Sequence, residues 1–209
     1  WLPRLDTYRD TLGQTLSEYL HLPVRIDSVS ALWDGWRLGL RLRGISLCDP
    51  ERDAVLAHFS QAIIALDLWH SLWQQRPVLG RVRLEGVRLT LETGPDGALR
   101  LFGEGDGTGS TKNLPDMARW LFALPQLEIV GERLAVRRLD GPSLEILDPY
   151  LDLQQTERGR RFAFTAAFPA ALGERFRLVV EREEAAEASQ RERGTFELRA
   201  DGMNLAWWP

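Results

Sequence analysis

Residues able to do chemistry are sparse in this chain of 209 residues, and their spacing argues against a reaction centre. His21, His58 and His70 are the three histidines, and they lie too far apart for a motif such as HExxH. Cys48 is the one cysteine; it lacks a CxxC partner and reads as a small packed side chain. Asp49, Glu51 and Asp53 cluster beside Pro50, a turn whose carboxylates are expected to face solvent. The run Gly103-Glu-Gly-Asp-Gly-Thr-Gly-Ser-Thr-Lys112 has the glycines of a phosphate loop but neither the Gly-Lys-Ser/Thr ending nor GxGxxG spacing. It reads as a linker. No GxSxG elbow presents a serine nucleophile. The expectation is a protein without catalytic residues, metal or cofactor, and a hydrolase ranks last among its readings.

Tryptophan is the unusual residue, with eight copies. Trp33, Trp36, Trp69, Trp73 and Trp120 have the chemistry of a membrane-interface belt, an apolar ring with an N–H that stays wet. They also suit plugs beneath helices, and core placement is the expectation for most of them.

What must position these residues is a repeated phrase: apolar, any, apolar, any, Gly, any, any, apolar. It occurs as Leu40-Arg-Leu42-Arg-Gly44-Ile45-Ser-Leu47, as Val82-Arg-Leu84-Glu-Gly86-Val87-Arg-Leu89 and as Leu127-Glu-Ile129-Val-Gly131-Glu-Arg-Leu134. A weaker copy is Leu198-Arg-Ala200-Asp-Gly202-Met-Asn-Leu205. Self-similarity at such a period marks a stacked architecture. Before each Gly, apolar residues alternate with charged ones, the signature of a strand with one buried face. After the Gly the parity flips: Ile45 and Leu47 are odd where Leu40 and Leu42 are even, and Val87, Leu89 and Leu91, then Leu134 and Val136, repeat the flip. A slip of one residue turns every side chain to the other face, so each strand must absorb an extra residue at Gly44, Gly86 and Gly131. A β-bulge or sharp bend does this, and Gly tolerates the backbone angles. The fold expected is mainly β: a curved, twisted antiparallel sheet forming a groove, with an N-terminal amphipathic helix and one or two short helices.

Composition narrows the partners. Net charge is 26 − 30 = −4, which argues against nucleic acid. Lys112 is the single lysine, and the arginines fall at outward strand positions where their stems cover apolar surface. No run reaches the roughly 18 apolar residues of a membrane span. The chain opens on Trp1-Leu2-Pro3 without a Met and ends on Trp207-Trp208-Pro209, which reads as a processed form or a piece of something longer.

Along the chain, Leu5, Tyr8, Leu12, Leu16, Tyr19 and Leu20 form one helical stripe over residues 4–20. Strands are expected at 24–30 and 37–48, then across 54–68 with Ile64, Leu66 and Leu68 in phase. Trp69 to Trp73 reads as one helical turn. Residues 81–92 and 98–102 make a hairpin about Gly94–Gly97, and 115–124 a short helix. Later hairpins fall near Gly141-Pro142 and Arg158-Gly159. Phe162, Phe164 and Ala166, and then Phe176, Leu178 and Val180, alternate inward. Residues 181–193 read as a mobile loop. The organisation expected is 1–22 as a helix following a membrane anchor, 23–102 as the first groove repeats, 103–113 as a flexible linker and 114–209 as a short helix with further repeats.

The opening through Glu51, and Pro77-Val-Leu-Gly-Arg-Val82 through Leu99-Arg-Leu101 with its Asp96-Gly97 turn, resemble the AsmA-like family, in particular its YhdP branch. The resemblance is good over about residues 1–140 and rests on patterns of strand and turn. It implies a periplasmic β-groove held in the Gram-negative inner membrane by an N-terminal helix absent from this chain, passing phospholipid toward the outer membrane. Periplasmic or outer-membrane proteins are further candidate partners. On this reading the lipid path is lined by Leu40, Leu42, Ile45, Leu47, Ile64, Leu66, Val82, Leu84, Val87, Leu89, Leu91, Leu127, Ile129, Leu134 and Val136. The alternatives are a closed β-sandwich whose apolar face is core, and an assembly factor that templates outer-membrane clients on a strand edge.

Overall fold

The computed structural model describes residues 6–20, 22–34, 37–50, 54–75, 79–93, 99–102, 121–138, 141–156, 159–169, 173–183 and 193–202. The linker expected at 103–113 and the helix residues 115–120 lie outside these, as do Trp36 and Trp120.

Ten strands form one open, curled sheet. They are β1 (Val24–Asp34), β2 (Arg37–Cys48), β3 (Val55–Leu66), β4 (Leu79–Thr93), β5 (Leu99–Phe102), β6 (Gln126–Arg138), β7 (Gly141–Thr156), β8 (Gly159–Ala167), β9 (Arg175–Glu183) and β10 (Arg193–Asp201). Helix α1 (Asp6–Leu20) precedes the sheet, and α2 (Leu68–Gln74) joins β3 to β4. The order is β1-β2-β3-β4-β6-β7-β8-β9-β10, with β5 paired to the far half of β4. The segment expected to be a loop from 181 is strand at both ends: β9 continues to Glu183 and β10 begins at Arg193. Cross-strand partners explain this, since Glu181 faces Thr195 and Glu183 faces Arg193.

One pairing departs from an antiparallel sheet. β4 and β6 are parallel: β5 pairs with the far half of β4, and β6 begins at the rim at which β4 began. This sets the second and third copies of the repeat side by side in register, with Val82 beside Leu127, Leu84 beside Ile129 and Leu89 beside Leu134.

Helix α1 lies on β1 because small residues let it approach. Gly13 is buried; a Cβ there would sit 3.3 Å from the Val24 carbonyl oxygen. Ser17 donates to the Gly13 carbonyl at 2.6 Å and accepts from the Val24 N–H at 2.8 Å, tying helix to strand. Leu12 and Leu16 thereby pack on Ile26, Val29 and Leu42.

Candidate functional site

The strands bend together along one line. On β2 and β4 the bend falls at Gly44, with φ +59°, and Gly86, with φ +63°, left-handed angles that Gly adopts without penalty. A side chain at either would also collide, with Asp27 and with Ser60 respectively. Gly131 on β6 is needed for a different reason: its φ is not left-handed, but a Cβ there would lie 2.5 Å from the Pro149 ring. On β7 the left-handed residue is Asp148, φ +46°, a type that tolerates this region better than most. Nothing in the repeat phrase pointed to Asp148; an Asp-Pro pair inside a strand was the available signal.

Register shows what the bend does. Ile26 pairs with Ile45 and Ser28 with Arg43, so the pairing of β1 with β2 is the same above and below Gly44. The same holds between β2 and β3, between β3 and β4 and between β6 and β7. Each strand therefore turns its parity at the same level; between β4 and β6 the pairing is irregular at Val87 and Gly131 but has the same offset on either side. The crease ends as a register shift between β7 and β8, near Asp148. Leu42 and Ile45, of opposite parity, consequently share one cluster with Val29 and Ile26.

The matched register aligns apolar side chains into rows that cross the sheet. Ala31, Leu40, Ile64, Val82, Leu127, Leu153, Phe162, Val180 and Phe196 are successive partners across all nine strands of the main path. Val29, Leu42, Ala62, Leu84, Ile129, Leu151, Phe164, Leu178 and Leu198 form a second such row. Beyond the crease, Val24, Leu47, Ala57, Leu89, Leu134 and Ile146 form a third. Of the residues expected to line a path, Leu40, Ile64, Val82 and Leu127 lie in the first row and Leu42, Leu84 and Ile129 in the second. Leu47, Leu89 and Leu134 lie in the third, Leu91 and Val136 pair with each other farther on, and Ile45, Val87 and Leu66 sit at the crease or the rim. Leu151 and Leu153 belong to these rows although they fall outside the repeat copies.

Exposure grades along a row. Leu127 is 1% exposed in a cluster with Val82, Leu124 and Leu153, whereas Phe196 and Leu198 on β10 are 67% and 51% exposed. The inward alternation expected on β9 is more mixed, because Val179 on the opposite parity is the buried residue while Phe176, Leu178 and Val180 are half-buried.

The other face carries charge. Glu128 is buried and accepts from Arg83 at 3.1 Å, from the Tyr150 hydroxyl at 3.2 Å and from Arg81. Burial by itself would raise its pKa; the Arg81 hydrogen bond, the charges of Arg83 and Arg81 and the Tyr150 hydrogen bond outweigh this and hold it below the ordinary carboxylate range. Burial, and then the nearby charges of Glu128 and Asp152, push Tyr150 up. Arg83 also donates to Glu85 at 2.6 Å, which accepts from Gln61 at 2.8 Å. These groups form a cross-strand brace, and each has a structural partner.

The candidate chemical residues are dispersed. His58 meets Ser46 across β3 and β2 at 3.3 Å, and Cys48 is buried with its N–H on the Pro23 carbonyl. Asp49, expected to meet solvent, is buried at the end of β2, with its N–H on the Ala54 carbonyl. Among the described residues no three His, Cys, Asp or Glu side chains gather in a metal-binding group, and no helix is long and apolar enough to cross a membrane. The core placement expected of the tryptophans is overturned for Trp33, Trp69 and Trp73, all strongly exposed. Trp69 and Trp73 lie on α2, between the end of β3 and the start of β4, and Trp33 lies at the end of β1.

The sheet is thus built from a repeated strand–Gly–strand unit, creased at one level and apolar on one face. The family model described as YhdP protein matches residues 1–209. The chain belongs to the YhdP family. No curated protein and no solved structure matches it.

Proposed function

We propose that this YhdP-family chain is the membrane-proximal part of a periplasmic β-groove that carries phospholipid acyl chains between the inner and outer membranes, tethered to the inner membrane by a segment outside the chain. The observation that carries the reading is the pair of apolar rows running unbroken across nine strands. At a strand spacing of about 4.8 Å each row is about 38 Å long. One leaflet of hydrocarbon is about 15 Å thick, so a row is longer than an acyl chain. Each CH₂ leaving water gains about 0.8 kcal/mol without any head-group recognition. The graded exposure toward β10 gives the face a wet end. No bond is made or broken in this activity, so it needs neither a cofactor nor a nucleophile.

Native mass spectrometry from mild detergent tests the proposal, with phospholipid-mass adducts expected on the wild-type chain. Leu84 and Ile129 are half-buried neighbours in the second row. Leu84→Arg and Ile129→Arg are expected to stay folded and lose the adducts. A clean apo mass, together with unfolding of both variants, would identify a dry core, where an unpaired charge is very costly. Folded variants that still carry lipid would equally refute the path.

A further inference from the structure

The strand ends of this sheet form two rims, and they differ. One rim holds the end of β1, the start of β2, the end of β3 with α2, and the starts of β4 and β6. Trp33 at the end of β1 is 71% exposed, and on α2 Trp69, Leu72 and Trp73 are 79%, 77% and 83% exposed. Phe122, just before β6, is also exposed. At the opposite rim, where β2 meets β3 and β6 meets β7, no described residue is an exposed Trp.

We infer that this rim, from Trp33 to α2, seats in the head-group layer of a lipid bilayer. Three features select a bilayer over a protein partner. The exposed rings are tryptophans, whose apolar body and polar N–H suit the membrane–water boundary. Helix α2, Leu-Trp-His-Ser-Leu-Trp-Gln, contains no Asp, Glu, Lys or Arg, so it offers no charge pattern for a protein to read. Finally, Trp33 has the strand parity of Ala31 and Val29, so the apolar face runs out to the rim without a polar break. On α2, Trp69, Leu72 and Trp73 at i, i+3 and i+4 share one helix face, and an exposed apolar patch of this kind marks an interaction site. The inference does not depend on lipid conduction, since it holds equally if the apolar face is a dry core.

Flotation of the full chain with phosphatidylethanolamine–phosphatidylglycerol vesicles is the test. The wild-type chain is expected to float, with Trp emission shifted to the blue and quenched by brominated lipid. Attachment is expected to persist in about 0.5 M salt, where charge attraction is screened within a few ångströms. The W69S/L72S/W73S variant replaces exposed side chains only, so it is expected to fold and to bind at least tenfold less; Trp33→Ser is expected to lose a smaller part. Leu84→Arg alters the apolar face and is expected to float as the wild type does, which separates failure of the rim from failure of the lipid path. The inference is overturned if the wild type stays in the lipid-free fraction, if the triple variant floats equally well, or if folded Leu84→Arg abolishes flotation. A dimer lost in the triple variant, with no vesicle binding by the wild type, would instead make the patch a protein interface and also overturn it.

Discussion

Gly44 and Gly131 occupy the same place in the repeat, yet the structure requires glycine at them for different reasons, and double-mutant cycles separate the two. At Gly44 the cause is backbone conformation: φ is +59°, and a non-glycine residue held there costs about 1–2 kcal/mol. The Asp27 carboxylate also occupies the Cβ position but is exposed and can swing away, while Asp27 Cβ, 2.9 Å from it, stays in place in Asp27→Ala. Gly44→Ala is therefore expected to destabilise by about 1–2 kcal/mol, and adding Asp27→Ala should recover little. At Gly131 the cause is space: a Cβ would lie 2.5 Å from Pro149 Cγ and 3.1 Å from Cδ, within a bend that the proline ring fills. Overpacking of this kind costs about 1–3 kcal/mol. Adding Pro149→Ala should remove most of the penalty, a coupling of about 1 kcal/mol or more. Urea unfolding at equilibrium reads both cycles; with a slope of about 2 kcal/mol/M, 1–3 kcal/mol moves the midpoint by about 0.5–1.5 M. The reasoning fails if Asp27→Ala fully restores Gly44→Ala, or if Gly131→Ala and Pro149→Ala are simply additive.

Two further outcomes follow from burial and charge. Leu127→Ala should cost about 2–5 kcal/mol because Leu127 is fully buried, whereas Phe196→Ala in the same row should cost about 1 kcal/mol or less; equal midpoint shifts in urea would contradict the graded exposure. Glu128→Gln should cost about 1–2 kcal/mol near neutral pH, since two of its three partners are half-exposed arginines. Because the folded pKa of Glu128 is depressed, the unfolded chain binds more protons between that value and the ordinary carboxylate pKa. Its contribution is thus complete above the unfolded pKa and lost as pH falls through the folded one. Unfolding midpoints of wild type and Glu128→Gln, followed from pH 7 into acid, should converge below about pH 4.5; a gap that stays constant would show that the ionised carboxylate is not the stabilising form.

The tryptophans show where sequence reading stopped. Trp69 and Trp73 sit at helical spacing, and that spacing is the same for a helix pressed on a sheet and for one that overhangs it. Their exposure follows from where β3 ends and β4 begins, a relation between segments rather than a property of either. Asp148 was hidden for a similar reason: its left-handed angle answers the bends of neighbouring strands, and its own strand carries no glycine there. The parallel pairing of β4 with β6 depends on the path of the chain after β5, for which the linker composition gave no direction.

What the sequence determined by itself was the local geometry. Alternation dictated strands with one apolar face, and the parity change at Gly44, Gly86 and Gly131 required each strand to turn at a set point, because a side-chain period of two admits no other way to keep that face continuous. Tertiary structure decided that all the turns fall on one crease, that the repeats line up into rows crossing nine strands, and that Trp33, Trp69 and Trp73 share one rim. Those are consequences of register and of strand order, and both are fixed only when segments far apart in the chain meet.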